Sequence, residues 1–166
     1  MAEADLAARL ARLEDEAAIR RLMDLCWMLT DAGPTARLAD LYTDDCVVDL
    51  GRLINPQADT VIEGIGAVRA RYGAPGAGRE GKMHHLAGGP QAILIDGDEA
   101  QAVTYALNSS LDADGQPRIG VTGFNFFRFR RENGRWKIAR RTARRLGDGD
   151  VLDLFRPIVS RVLADL

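Results

Sequence analysis

Leucines recur at positions 6, 10, 13, 22, 25 and 29, mostly in steps of three and four, with Ala17 and Ile19 near the middle of the series. Apolar residues at that spacing line one face of a helix, so Asp5 to about Asp31 is read as an amphipathic helix. About 27 residues is long for one globular helix, and residues 1–12 are therefore expected to form a separate turn or an arm onto a partner subunit. Asp31-Ala32-Gly33-Pro34 ends the pattern, because Gly33 suits a C-terminal cap and Pro34 cannot continue the ladder. An acid at that end opposes the helix dipole, at a cost of a few tenths of a kcal/mol unless a cation or donor compensates.

Periodicity then shortens. Thr35–Tyr42 is read as a short helix, Asp44-Asp45 as a turn, Cys46–Leu50 as a strand, Gly51–Thr60 with Asn55-Pro56 as a loop, Val61–Glu63 as a strand and Gly64–Tyr72 as a helix. Gly73–Gly81 holds four glycines and a proline in nine residues, the composition of a mobile connection and a candidate lid. Strand signals dominate afterwards: Gln91–Ile95, a turn at Asp96-Gly97-Asp98, Ala100–Leu111, a turn at Asp112–Gly115, and an aromatic-rich alternation over Ile119–Arg131. Asn133-Gly134 is a strong hairpin signal, with Trp136–Arg145 as the returning strand. Val151–Leu163 is apolar at helical spacing, interrupted by Pro157, so 150–166 is assigned a C-terminal helix. Helices first and antiparallel strands later predict an α+β domain, with the helices on one face of a curved antiparallel sheet and a cavity between them.

Composition narrows the class. The 166 residues are most simply one domain, 46% apolar and 28% charged with a net charge of −2, and no apolar run approaches the roughly 20 residues of a membrane span. The charged N-terminus lacks the apolar stretch of a signal peptide, and Cys26 and Cys46 form no CxxC. A cytoplasmic protein with reduced thiols is expected, without membrane or nucleic-acid partners. The basic run from Arg128 to Arg145 alternates with apolar residues, as the solvated face of a hairpin does.

Two histidines, His84 and His85, stand together in Lys82–Pro90, KMHHLAGGP. Imidazole titrates nearest neutral pH, so proton chemistry is sought here first. Adjacent histidines in a strand point apart, and no HExxH is present, which argues against a metal site. Gly64-Ile65-Gly66 lacks the rest of a dinucleotide fingerprint. Cys26, on the apolar side of its helix, reads as a buried hydrophobe rather than a nucleophile.

In order and spacing, DEAAIRRLMDLCWMLTDAG, LADLYTDDCVVDL, HHLAGGP and NGRWKIARR resemble the SnoaL-like proteins of the nuclear-transport-factor-like superfamily, relatives of scytalone dehydratase, ketosteroid isomerase and hexachlorocyclohexane dehydrochlorinase. The resemblance spans Leu13 to Arg145 and implies a cone-shaped α+β fold with an internal pocket. It implies a dyad of an aspartate ending the first helix and a histidine starting a central strand, which Asp31 and His85 match, leaving His84 the structural part unless a bulge reverses the two. It implies an arginine five residues after the tryptophan of the last strand, where Arg141 stands. Cys26 occupies a position where several relatives carry tyrosine or lysine, and a thiol is a feeble donor. Trp27, Tyr42, Tyr105, Asn108, Asn125 and Phe127, with Cys26 and His84, are candidate pocket residues, though each also suits a core. The implied activity is a cofactor-free lyase or isomerase acting on a small, largely apolar molecule; the alternative is a non-catalytic binder of a hydrophobic ligand or partner subunit. A homodimer or homotrimer is expected through the sheet, where Phe124, Phe126, Phe127 and Phe129 supply apolar surface.

Overall fold

The computed structural model describes residues 3–53, 57–74, 81–86 and 91–164. Helix α1 runs unbroken from Glu3 to Asp31. No separate turn divides it, because neither glycine nor proline interrupts a run rich in strong helix formers. Only its second half meets the sheet: Ile19, Met23, Cys26 and Trp27 are buried, whereas Leu6, Leu10 and Leu13 stay more than half exposed. Midway, Asp15 accepts hydrogen bonds from Trp136 Nε1 at 3.0 Å and from Arg131 at 2.7 Å. At its end a Cβ on Gly33 would meet the Leu29 side chain at 2.9 Å, so the chain turns there on glycine and leaves through Pro34.

A short 3-10 helix, Thr35–Leu41, leads into β1, Tyr42–Gly51. The acidic pair expected as a turn lies within this strand, where its pairing slips between Tyr42 and Val47. Next come β2 (Thr60–Glu63), α2 (Gly64–Tyr72), β3 (Met83–Leu86), β4 (Gln91–Asp96), β5 (Glu99–Leu111), β6 (Pro117–Glu132), β7 (Arg135–Arg145) and α3 (Val151–Ala164). Asn133 (φ 51°) and Gly134 (φ 73°) both take the left-handed conformation that their hairpin turn requires. The glycine-rich lid candidate at 75–80, the loop at 54–56 and the segment at 87–90 fall outside the described residues.

The strands form one seven-stranded sheet, ordered β2-β1-β7-β6-β5-β3, with β4 on the same side of β5 as β3. It is mixed rather than purely antiparallel, since β1 lies parallel to β7. The histidine strand β3 sits at an edge, not in the centre.

Alternation along the strands divides the core. Phe127, Phe129, Ala100, Ala102 and Ile138 face α1, α2 and the 3-10 helix, forming the main cluster with Trp27, Tyr42 and Val48. Phe126, Val103 and Leu94 face the other way and are covered by Ile158, Leu154 and Phe155 of α3. Helices therefore cover both faces instead of one. Pro157 sits inside α3 without ending it. What stays open on the α3 side is an apolar groove of about 590 Å3 between Leu86, Tyr105, Leu107, Phe124 and Leu146.

Candidate active site

The site begins where the end of α1 meets β3. His85 Nδ1 lies 2.5 Å from Asp31 Oδ1, and the His85 backbone N–H donates to Asp31 Oδ2 at 2.6 Å. One carboxylate thus orients the ring and fastens the edge strand that carries it, and these donors offset the dipole penalty of an acid at a helix C-terminus. With Asp31 accepting from Nδ1–H, the lone pair lies on Nε2. His84, one residue earlier on the alternating strand, is exposed.

Trp27, one helical turn before Asp31, stacks on the His85 ring with centroids 5.0 Å apart and planes 20° from parallel. The Arg141 guanidinium carbon lies 4.3 Å from the centre of the Trp27 ring, and Arg141 Nε donates to Asn125 Oδ1 at 3.0 Å. Arg141 is 7% exposed, not the solvent-facing strand arginine that its neighbours in sequence would suggest. A bulge explains this. Phe129 pairs with Ile138 but Arg128 pairs with Arg140, so β7 carries one extra residue, Ala139. The extra residue switches the inward face from Trp136 and Ile138 to Arg141 and Ala143. Arg140 and Arg144 fall on the opposite side, where both reach Asp49.

Burial works against the charge of Arg141, but the facing Cys26, Tyr42 and Tyr72 side chains and a hydrogen bond with Tyr42 hold its pKa above the ordinary value, so it stays protonated. Burial likewise pushes the Tyr42 phenol up. Its hydroxyl lies 3.7 Å from the Cys26 sulfur, so a phenol from β1 stands beside the thiol of α1.

Trp27, His85, Asn108, Asn125 and Arg141 line a common cavity, completed by Leu53, Ala106, Leu107, Val121, Gly123, Phe124, Ala143 and Arg144. Cys26, Tyr42 and Phe127 form the layer behind it, Phe127 meeting Trp27 edge-on. Asn108 is partly committed, its Oδ1 accepting the Val121 N–H at 2.6 Å across the bulge between β5 and β6. Tyr105 does not join: it packs on Phe124 and Phe155 at the α3 face. Gly123 and Ala143 escaped the sequence reading, although counting back from the Asn133-Gly134 turn with Arg141 placed inward would have found them. The void is small, about 30 Å3, room for about two or three waters at the ~10–15 Å3 that each needs. Among the described residues no three His, Cys, Asp or Glu side chains cluster to hold a metal, and no helix is long and apolar enough to cross a membrane.

A SnoaL-like domain profile matches residues 11–142. The chain belongs to the SnoaL-like family. Among solved structures, this SnoaL-like chain is similar to an NTF2-like protein with a cystatin-like fold from Novosphingobium aromaticivorans, at 25% identity and a TM-score of 0.79, covering 93% of this chain and 97% of that one. From the same organism, a candidate aromatic ring hydroxylase matches at 25% identity and TM-score 0.62 over 81% of this chain and 90% of that one. A candidate scytalone dehydratase matches at 22% and 0.65, over 81% and 86%. No curated protein matches the sequence.

Proposed function

We propose that this SnoaL-like protein is a cofactor-free lyase or isomerase that removes a proton from carbon beside a carbonyl. The observation that carries this reading is His85, held through Nδ1 by Asp31 and lining a cavity that Arg141 also lines. Nε2 of His85 takes the proton, Asp31 stabilises the imidazolium that results, and the electron pair moves onto the carbonyl oxygen. Arg141 faces that developing charge from a largely dry position, where one preorganised donor typically contributes ~3–4 kcal/mol. Dehydration, isomerisation and aldol closure share this first step. The likeness to a candidate scytalone dehydratase agrees with the first of these.

The step is tested by incubating the protein with small ketones and 1,3-diketones in deuterated water and following loss of the α-proton signal by NMR. Exchange is expected with the wild type, with His85→Ala slowing it by about 10²–10⁴-fold, the usual worth of a positioned general base. Unchanged exchange in His85→Ala and Asp31→Asn would leave the non-catalytic reading, which the small size of the cavity favours.

A further inference from the structure

Several arginines that tie elements of this chain together are neutralised by carboxylates. Arg144 is held by Asp49 and Asp150, Arg130 by Asp45 and Glu132, and Arg131 by Asp15 and Asp98. Arg141 is different. It is the arginine that lies fully within the core, yet among the described residues its partners are all neutral: the Asn125 carbonyl oxygen, the Trp27 ring face and the Tyr42 hydroxyl. The acid of the site, Asp31, has both oxygens on His85. A buried cation without a counter-charge is a costly arrangement, and a bound anion would supply the charge that is missing.

The neutral partners position the guanidinium without neutralising it. Asn125 occupies the Nε–H and the Tyr42 hydroxyl a further N–H, which leaves the other Nη N–H groups of a residue that lines the cavity. That planar fork matches two coplanar oxygens. The remaining walls are mostly apolar, among them Leu53, Leu107, Val121 and Phe124, with Asn108 and Arg144 also lining the cavity.

We propose that this cavity binds a compact oxo acid, one that arrives already carrying a carboxylate, and that Arg141 is its anchor. The proposal rests on the general-base reading for the ketone part alone. A carboxylate makes a neighbouring C–H less acidic, so the carbonyl that His85 exploits is a second group. In a 2-oxo acid one carboxylate oxygen and the ketone oxygen lie side by side, and the Arg141 fork spans both. When the C–H beside the ketone breaks, the proton goes to His85 Nε2 and the electron pair to the ketone oxygen, which Arg141 already holds.

The test uses the smallest matched set, 2-oxopropanoate, propanoate and the neutral propanamide, titrated calorimetrically into the wild-type protein. Both acids are expected to bind, the oxo acid more tightly, and the amide at least tenfold more weakly than its acid. Arg141→Met should abolish the preference for acids in a protein that still unfolds cooperatively. The double variant Arg141→Met/Asn125→Leu, which also removes the orphaned carbonyl oxygen, should lose the preference in the same way. No binding of either acid, equal binding of acid and amide, or a preference that survives in a folded Arg141 variant overturns the proposal. Acid-selective binding with no deuterium exchange would leave the anion site standing and end the general-base reading. Exchange of neutral ketones without acid selectivity would do the reverse.

Discussion

Asp31 performs two tasks with one carboxylate: it orients a ring and it tethers a strand. The two separate on substitution. In Asp31→Asn the amide oxygen can still accept the His85 N–H, but its NH2 faces Nδ1 and forces the ring proton onto Nε2, removing the basic lone pair. Asp31→Ala removes the acceptor of both the amide and the ring N–H, at a cost of about 1–3 kcal/mol. Urea denaturation should therefore rank the wild type and the asparagine variant above the alanine variant, while deuterium exchange is poor in both. This pair was legible in the sequence because both residues sit at ends of elements whose order matches a family. Arg141 was legible only through that family, since nothing in Arg140-Arg141 says which turns inward. The choice is made by the extra residue at Ala139, and a bulge leaves no mark in an alternating pattern. Tyr105 lines the groove on the α3 side rather than the His85 cavity, and the sequence could not choose, because an aromatic in a strand covered on both faces belongs equally well to either.

The elements themselves were easier to read than their partners. Helix and strand periods located α1, α2, β5 and the β6–β7 hairpin closely, because each signal is local. The parallel pairing of β1 with β7 joins residues about ninety positions apart, and the covering of the second sheet face by α3 is equally non-local. At this scale Gly123 is the informative position. A Cβ there would stand 2.0 Å from the Arg144 carbonyl oxygen on the neighbouring strand, so Gly123→Ala must push β6 and β7 apart beside the cavity. A loss of about 1–3 kcal/mol, the usual cost of overpacking, is expected in chemical denaturation. Gly66→Ala, where a Cβ meets nothing within 4 Å, is the control and should stabilise slightly, since alanine is the better helix former.

Across the whole molecule, carboxylate–arginine pairs fasten helix and strands to one another. Hydrogen bonding from Arg131 holds Asp15 below the usual carboxylate range, and bonding from Arg130 holds Asp45 well below it. Burial opposes the charge of Asp49, but the Arg144 hydrogen bonds outweigh it and its pKa is lowered too. A pKa lowered by folding adds stability above the unfolded value near ~3.9, and that stability is lost as pH falls through the folded value. Stability is therefore expected to decline progressively below about pH 5, and Asp49→Asn, less stable at neutral pH, should show a shallower decline when thermal unfolding is followed against pH. Asp15 and Asp31 also make α1 a ruler with two clamps, one on the hairpin tip and one on β3. They stand sixteen residues apart on one uninterrupted helix, about 24 Å of rise at 1.5 Å per residue, and each residue turns the helix by about 100°. A single alanine inserted between the clamps would leave the helix intact but swing the carboxylate about 100° away from His85. The number of residues between the clamps, as much as their identity, is what brings acid and base together.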